Sequence, residues 1–257
     1  MSTSLGKFVW YELMTTDASA AADFYAPITG WTASDAGVPG MPYTMLNVGD
    51  RAIGGMMNRP EGVDAPPHWV GYIYVNDVDS AGAAIVADGG TLHHAPTNIP
   101  NVGRFAVVAD PQGAAFIIFK PNPEPANPPP PPAPGTHGTI GWNELSATDW
   151  KPAFDFYAKH FGWTLAETHD MGPMGTYQIF AIHGVPAGGM ANRPPFIPFP
   201  VWQYYINVAD IDVAYEKVTA GGGKILHGPH QVPGGSWIVG GQDPQGAHFS
   251  LVGPKAA

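Results

Sequence analysis

Two long stretches of this 257-residue chain repeat one another. The segment FVWYELMTTDASAAADFYAPITGW (8–31) aligns with IGWNELSATDWKPAFDFYAKHFGW (140–163). Trp10 aligns with Trp142 and Glu12 with Glu144, at the same offset in residue number. A repeat of fixed period constrains the architecture more strongly than any local pattern, because it predicts two copies of one fold.

A proline-rich segment separates the two copies. Residues 121–134 read PNPEPANPPPPPAP, a composition typical of a stiff polyproline II spacer. We therefore predict a first domain over 1–120, a linker over 121–135 and a second domain over 136–257. Because one chain supplies both domains, the arrangement favours a monomer in which the domains pair with each other.

Each copy divides again into two modules of the same type. The alternating segment VWYELMTTD predicts a strand, and Asp17 marks the start of a helix with one apolar stripe. Short strands follow at 43–48 and 51–57, and the pattern then restarts over 68–90 and 103–119, where DPQG marks a hairpin turn. The second half repeats this order. Asp243 of its DPQG turn follows Asp110 by one position more than the offset that relates the first strands. We predict an α+β chain of four βαβββ modules.

Composition excludes several classes of partner. Eleven Lys and Arg stand against 21 Asp and Glu, a formal net charge of −10, which repels nucleic acid and anionic membrane surfaces. The chain has no cysteine, so disulfides and thiolate metal sites are excluded. The N-terminal residues lack an apolar signal segment and no long apolar run occurs, so we expect a cytoplasmic protein.

The order of these motifs resembles the vicinal oxygen chelate superfamily, which includes glyoxalases, bleomycin-resistance proteins and extradiol dioxygenases. The shared pattern is D…FY…GW after the first strand and DPxG before the last, and it covers nearly all of both halves. The resemblance implies that each pair of modules forms a cup-shaped domain, with a small-molecule site inside the cup. The two cups would be joined by the Pro-rich linker.

This chain departs from that family at the metal site. Metal-dependent members bind a divalent ion through a His or Gln on a module's first strand and a Glu on its last. The matching first-strand positions hold Trp10 and Trp142, and the last-strand positions hold Ile117 and Ser250. Indole and alkyl groups do not ligate such ions, and Gln203 with Ser250 would form at best a partial set. We therefore expect neither metal nor other cofactor; the alternative is a metalloenzyme whose ligands lie elsewhere.

Two carboxylates are the principal candidates for chemistry. Strand alternation places Glu12 on the same face as Trp10, and Glu144 on the same face as Trp142. A carboxylate beside an indole in a concave site tends toward a raised pKa and is a candidate general base or acid. His248, on the last strand of the second half, is a third candidate catalytic residue. Alternatively, each Glu accepts hydrogen bonds within its domain and holds the modules together.

Aromatic side chains are candidates for the walls of a ligand site. The candidates that follow from strand alternation and repeat position are Trp10, Tyr72, Trp142, Tyr205 and Trp237. Core packing is an equally good interpretation of the first-strand tryptophans. Arg104, Gln203 and Ser250 complete the predicted ligand-binding set.

Two functions fit these patterns. The first is a metal-independent protein, similar to bleomycin-resistance proteins, that binds a small aromatic or oxygenated molecule in an aromatic-lined cup. The second is a lyase, isomerase or hydrolase of a small oxygenated metabolite that uses Glu12 or Glu144 as its general base. The sequence does not distinguish the two.

Overall fold

The structure is a computed structural model that describes residues 4–37, 42–124 and 130–255. Residues 130–134, at the end of the proline-rich segment, have no helix or strand. The centre of the predicted polyproline linker, 125–129, lies outside the described residues. The linker and the two domain boundaries therefore stay predictions.

Four modules follow one another, each a strand, a helix and three more strands, as the sequence predicts. Module 1 consists of β1 (Phe8–Thr15), α1 (Ala18–Thr29), β2 (Thr32–Asp35), β3 (Thr44–Val48) and β4 (Arg51–Asn58). Module 2 consists of β5 (His68–Tyr74), α2 (Val78–Ala87), β6 (Thr91–Ile99), β7 (Gly103–Ala109) and β8 (Ala115–Pro121).

The second half has the same order. Module 3 consists of β9 (Ile140–Ala147), α3 (Trp150–Phe161), β10 (Thr164–Asp170), β11 (Thr176–Ile182) and β12 (Val185–Asn192), with a 3-10 turn at Gly172–Met174. Module 4 consists of β13 (Val201–Asn207), α4 (Ile211–Ala220), β14 (Lys224–Gln231), β15 (Trp237–Gln242) and β16 (His248–Gly253).

The helix boundaries follow from side-chain capping. Every helix begins after an Asp whose carboxylate accepts a backbone N–H of the first turn. Two helices, α1 and α3, end at a glycine in the left-handed conformation, Gly30 (φ 72°) and Gly162 (φ 70°). The predicted apolar stripe of α1 is buried, from Ala21 to Ile28.

The strands form two eight-stranded sheets, with orders β2-β3-β4-β1-β5-β8-β7-β6 and β10-β11-β12-β9-β13-β16-β15-β14. In each module the first strand pairs in parallel with the last, and the remaining strands pair antiparallel. The α+β prediction and the four-module prediction are confirmed. None of the helices in the described residues is long and apolar enough to cross a membrane.

The chain packs into two compact units, and each unit combines one module from either half. Unit I contains modules 2 and 3 (Met1–Val9, Val70–Pro130, Trp142–Gln203). Unit II contains modules 1 and 4 (Trp10–Trp69, Pro131–Gly141, Tyr204–Ala257). In unit II, apolar side chains of β1, α1, β13, α4 and β16 share one core.

A buried Trp–Tyr–Asp triad lies in each unit. In unit II, the Tyr25 hydroxyl donates to Asp243 Oδ2 at 3.1 Å and accepts from Trp69 Nε1 at 3.1 Å. The other carboxylate oxygen of Asp243 accepts the backbone N–H of Ala247 at 2.9 Å and so shapes the DPQG turn. Burial raises the pKa of Asp243 and of Tyr25.

Unit I has the same triad. The Tyr157 hydroxyl donates to Asp110 Oδ2 at 3.1 Å and accepts from Trp202 Nε1 at 2.9 Å, and burial raises the pKa of Asp110. The Tyr of the repeated FY motif, the repeated Trp and the Asp of DPQG, which lie far apart in the sequence, are therefore joined by hydrogen bonds in each unit. In each case the Tyr and the Asp come from different halves of the chain.

Replacing Tyr157 by Phe should destabilise the protein by about 1–3 kcal/mol, because the buried Asp110 carboxylate loses a donor. Tyr25→Phe should cost a similar amount, since Tyr25 has the same two partners in unit II. Urea denaturation would measure both. Tyr215→Phe, whose hydroxyl belongs to neither triad, is the control and should change stability by less than about 0.5 kcal/mol. An unchanged unfolding midpoint in Tyr157→Phe would contradict the role given to the triad.

Candidate functional site

The candidate site in module 1 is a hydrogen-bonded Trp–Tyr–Glu triad. Trp10 Nε1 donates to the hydroxyl of Tyr43 at 2.8 Å. That hydroxyl is also hydrogen-bonded to Glu12, whose side chain is buried (6% exposed). Burial, and then the adjacent Glu12 carboxylate, raise the pKa of Tyr43, so the phenol stays protonated.

Module 3 contains the same triad. Trp142 Nε1 donates to the Tyr177 hydroxyl at 2.7 Å, and that hydroxyl donates to Glu144 Oε2 at 2.8 Å. Burial and the Glu144 carboxylate raise the pKa of Tyr177. The sequence pattern identified the Trp and the Glu in each half but missed the Tyr between them. The offset that relates the first strands would place the match of Tyr43 two positions before Tyr177. An alignment at that fixed offset therefore does not pair Tyr43 with Tyr177.

The repeated Gly-Gly pairs make room for these triads. Gly55 lies opposite Glu12, and a Cβ at Gly55 would lie 2.3 Å from Cε1 of Tyr43. A Cβ at Gly189 would lie 2.2 Å from Cζ of Tyr177. The tyrosine rings therefore lie directly over glycine backbone, and these positions exclude any side chain.

The Asn that follows each Gly-Gly pair supports a helix. Asn58 Oδ1 accepts the Ala18 N–H at 2.7 Å, and Asn192 Oδ1 accepts the Trp150 N–H at 2.9 Å. Each interaction satisfies a backbone donor in the first turn of α1 or α3. The repeated NRP segment therefore has a structural role in both halves.

A cleft of about 400 Å³ opens beside the first triad. Its lining comes from α1, β2, β3, β4 and the residues just before β3. It consists of Ala18, Ala33, Ser34, Asp35, Pro42, Tyr43, Thr44 and Asn58. Tyr43 thus belongs both to the triad and to the wall of an open cleft.

The remaining predicted residues of unit I occupy different environments. Tyr72 is buried on β5 and contacts Phe119 edge-to-face, with 5.8 Å between ring centroids. Arg104 forms a bidentate ion pair with Asp79, at 2.6 and 2.7 Å. Gln203 is half-buried on β13. Their ligand-binding roles stay predictions.

In unit II the predicted residues of module 4 lie on β13, β15 and β16. Tyr205 and Ser250 are buried and lie opposite each other on neighbouring strands. His248 is exposed, and its Nε2 lies 2.9 Å from Nε2 of Gln242. The ring of Trp237 lies 4.9 Å from Lys255 Nζ. Catalysis by His248 stays a prediction, as do the ligand-binding roles of the other three.

The side chains at the expected metal positions do not fit a divalent ion. The indoles of Trp10 and Trp142 present N–H donors that are already bonded to tyrosine, and Ile117 offers only a buried alkyl group. Within residues 4–37, 42–124 and 130–255, no three His, Cys, Asp or Glu side chains cluster as a metal site requires. We therefore derive no step through a metal.

Comparisons with known proteins agree with the fold and the repeat. The chain is 31% identical over 250 residues to CFP32 of Mycobacterium tuberculosis, a protein that has been named provisionally as a glyoxylase. The alignment covers 95% of this chain and 94% of the other. It is 29% identical over 264 residues to the anthracycline biosynthesis protein DauV of a Streptomyces species, covering 96% and 93% of the two chains.

Among solved structures, the fold is similar to that of an Mn(II)-bound glyoxalase from Novosphingobium aromaticivorans. The TM-score is 0.65 at 14% identity, covering 98% of this chain and 83% of the other. The model of the Glyoxalase/Bleomycin resistance protein/Dioxygenase superfamily matches residues 7–118 and again residues 139–251. The chain belongs to this superfamily, as a tandem member with one family domain in each half.

Proposed function

We propose that this protein binds a small, planar, oxygenated aromatic molecule without the help of a metal. The observation that carries the proposal is the pair of Trp–Tyr–Glu triads. At the position where metal-dependent members of the family place a metal-binding side chain, each half has an indole hydrogen-bonded to a half-buried tyrosine. The indole offers a flat apolar surface for stacking, and its nitrogen has no lone pair available for a metal.

Two further features support binding over catalysis. Each Glu interacts with a tyrosine whose pKa is raised, so the carboxylate is held by a neutral hydroxyl donor. The same Trp–Tyr–Glu arrangement occurs in both halves. This is expected if each triad forms one wall of a ligand site. The relative named as an anthracycline biosynthesis protein suggests a polycyclic aromatic ligand for this chain too.

The proposal predicts metal-independent binding of a planar probe. We expect 1,4-dihydroxyanthraquinone to bind and to raise stability by about 2.7 kcal/mol at a hundredfold excess over its Kd. EDTA and added Mn²⁺ should leave the affinity unchanged. Isothermal titration calorimetry and thermal denaturation would measure both effects. Binding that EDTA abolishes and Mn²⁺ restores would contradict the proposal.

A matched pair of tryptophan variants tests the wall. Trp142→Phe removes the indole N–H that donates to Tyr177. It should lower the affinity for the probe about tenfold, which is equivalent to roughly 1.4 kcal/mol. Trp150→Phe is the control. Trp150 contributes its backbone N–H to Asn192, which the substitution keeps. Equal affinities of the two variants would exclude Trp142 from the binding wall.

A second candidate function is general-base catalysis by Glu12 or Glu144. One observation favours it: Tyr43, the partner of Glu12, also lines the 400 Å³ cleft. In this function Glu12 would be the proton acceptor, and the protonated Tyr43 would hold its carboxylate in place. The reaction class would be a lyase, isomerase or hydrolase acting on a small oxygenated metabolite.

Glutamine substitutions test this second candidate. With the hemithioacetal of methylglyoxal and glutathione as substrate, Glu144→Gln should lower kcat/KM by about 10²–10⁴ if Glu144 is the base. Glu12→Gln is the matched variant for the first half. Circular dichroism would establish that both variants remain folded. Turnover that survives both substitutions would exclude both carboxylates as the base.

A further inference from the structure

Modules 2 and 4 carry matching rows of side chains across their strands. In module 2, adjacent strands place Tyr72, Ile117, Val107 and His94 directly opposite one another. Residues that lie directly opposite on paired strands project from the same face of the sheet. These four positions therefore form one continuous row on one face of module 2.

Module 4 has the corresponding row, at the offset that relates Asp110 to Asp243. There the opposed residues are Tyr205, Ser250, Gly240 and His227. Both ends of the row are the same in the two modules, a Tyr and a His. The two central positions differ.

The centre of the row is apolar in module 2 and polar or empty in module 4. Ile117 of module 2 corresponds to Ser250, and Val107 corresponds to Gly240. The imidazole of His227 lies over Gly240, since a Cβ at Gly240 would lie only 2.0 Å from His227 Nε2. The half-buried ring of His227 thus occupies the space that a side chain at Gly240 would fill.

The next pair on the same face shows the same difference. In module 2 it is Ala109 opposite Ala115, and in module 4 it is Gln242 opposite His248. Strand alternation places this pair on the face of Ser250, because His248 precedes Ser250 by two positions. Four successive changes between the modules therefore remove apolar volume or add hydrogen-bonding groups.

Ser250 makes the difference costly for the free protein. Its side chain is 0% exposed, and Oγ has no hydrogen-bond partner among the described residues. A buried hydroxyl without a partner destabilises a fold, and native proteins retain few of them. Thr15 Oγ1 is unpartnered in the same way among the described residues. Ser250, however, shares its face with the Gln242–His248 pair, so a ligand on that face is a candidate partner for its hydroxyl.

We infer that this face of module 4 binds the hydroxyl or carbonyl end of an uncharged aromatic ligand. Ser250 and the Gln242–His248 pair supply the hydrogen bonds, and the imidazole of His227 over Gly240 forms part of the same face. The inference rests on the proposed function and names the chemistry that the second half recognises. The matching face of module 2, with Ile117 at its centre, favours apolar surface instead.

The charge of these side chains defines the ligand class. Serine and glutamine are neutral, and histidine is mostly neutral above its ordinary pKa of about 6.5. Burial lowers the pKa of His227 further, so its ring is uncharged at neutral pH. Hydroxyl and carbonyl oxygens are therefore the matching ligand groups beside Ser250. The cation on this face is Lys224, opposite Gln242, and its side chain is exposed to solvent at the end of the row.

Two probes that differ only in oxygen test the inference. Calorimetry at pH 7.5 would compare 1,5-dihydroxynaphthalene with naphthalene. Ser250→Ala should weaken dihydroxynaphthalene about tenfold and leave naphthalene unchanged, because only the former loses a hydrogen bond. The same substitution should raise the Tm of the free protein, since it removes a buried unsatisfied hydroxyl. His248→Ala changes an exposed residue to the one found in module 2, and should also weaken only dihydroxynaphthalene.

Thr15→Val is the matched control. Thr15 Oγ1 is likewise buried without a partner among the described residues, and Thr15 also lies in unit II, on β1. Its replacement should raise the Tm as Ser250→Ala does, but alter neither affinity. This comparison separates the loss of a ligand contact from a general gain in stability.

The outcomes distinguish this inference from the proposed function. If both probes bind and Ser250→Ala changes neither affinity, or weakens both equally, the inference is overturned and the proposed function stands. If neither of these probes nor 1,4-dihydroxyanthraquinone binds the unsubstituted protein, both are overturned. If only 1,4-dihydroxyanthraquinone binds and Ser250→Ala leaves its affinity unchanged, the inference alone is overturned. Selective loss of dihydroxynaphthalene in Ser250→Ala and His248→Ala, with Thr15→Val unchanged, supports the inference.

Discussion

The buried tyrosine hydroxyl between a tryptophan N–H and an aspartate carboxylate is the interaction on which the rest of the structure depends. The tyrosine comes from a helix of one half and the aspartate from a turn of the other, as with Tyr25 and Asp243. A buried carboxylate is costly unless it is hydrogen-bonded, so each DPQG aspartate requires a helix tyrosine packed against it. In this structure the two come from different halves, each compact unit contains a module from either half, and the same triad occurs in both units.

A second tyrosine performs a different task on the opposite face of the first strand. Tyr43 and Tyr177 join a Trp and a Glu on strands whose other face carries buried leucines, Leu13 and Leu145. A glycine lies beneath each tyrosine ring, and the ring packs so closely on the backbone that a Cβ at that position would clash with it. Since the same three groups occur in both halves, the triads are a feature that modules 1 and 3 share. What distinguishes the halves must lie elsewhere.

The sequence predicted the modules well because periodicity and caps are local. Asp17 and Gly30 bound α1 where expected, and the DPQG turn lies between β7 and β8. The candidate site was harder to predict, since its third member is brought in by a strand whose loop differs in length between the halves. Arg104 was predicted as a ligand contact from repeat position alone. Its bidentate pairing with Asp79 depends on distances that a linear comparison does not supply.

Duplication also explains how a polar face arises without loss of the fold. The core side of module 4 keeps its apolar residues, such as Val239 and Leu251, and these alternate with the changed positions along the same strands. Strand alternation thus separates the residues that stabilise the module from those on the face where we propose that a ligand binds. Ser250 lies between Phe249 and Leu251, which are both buried in the core of unit II. A change at Ser250 therefore alters one face while the other stays packed, and the two halves diverge in chemistry but not in architecture.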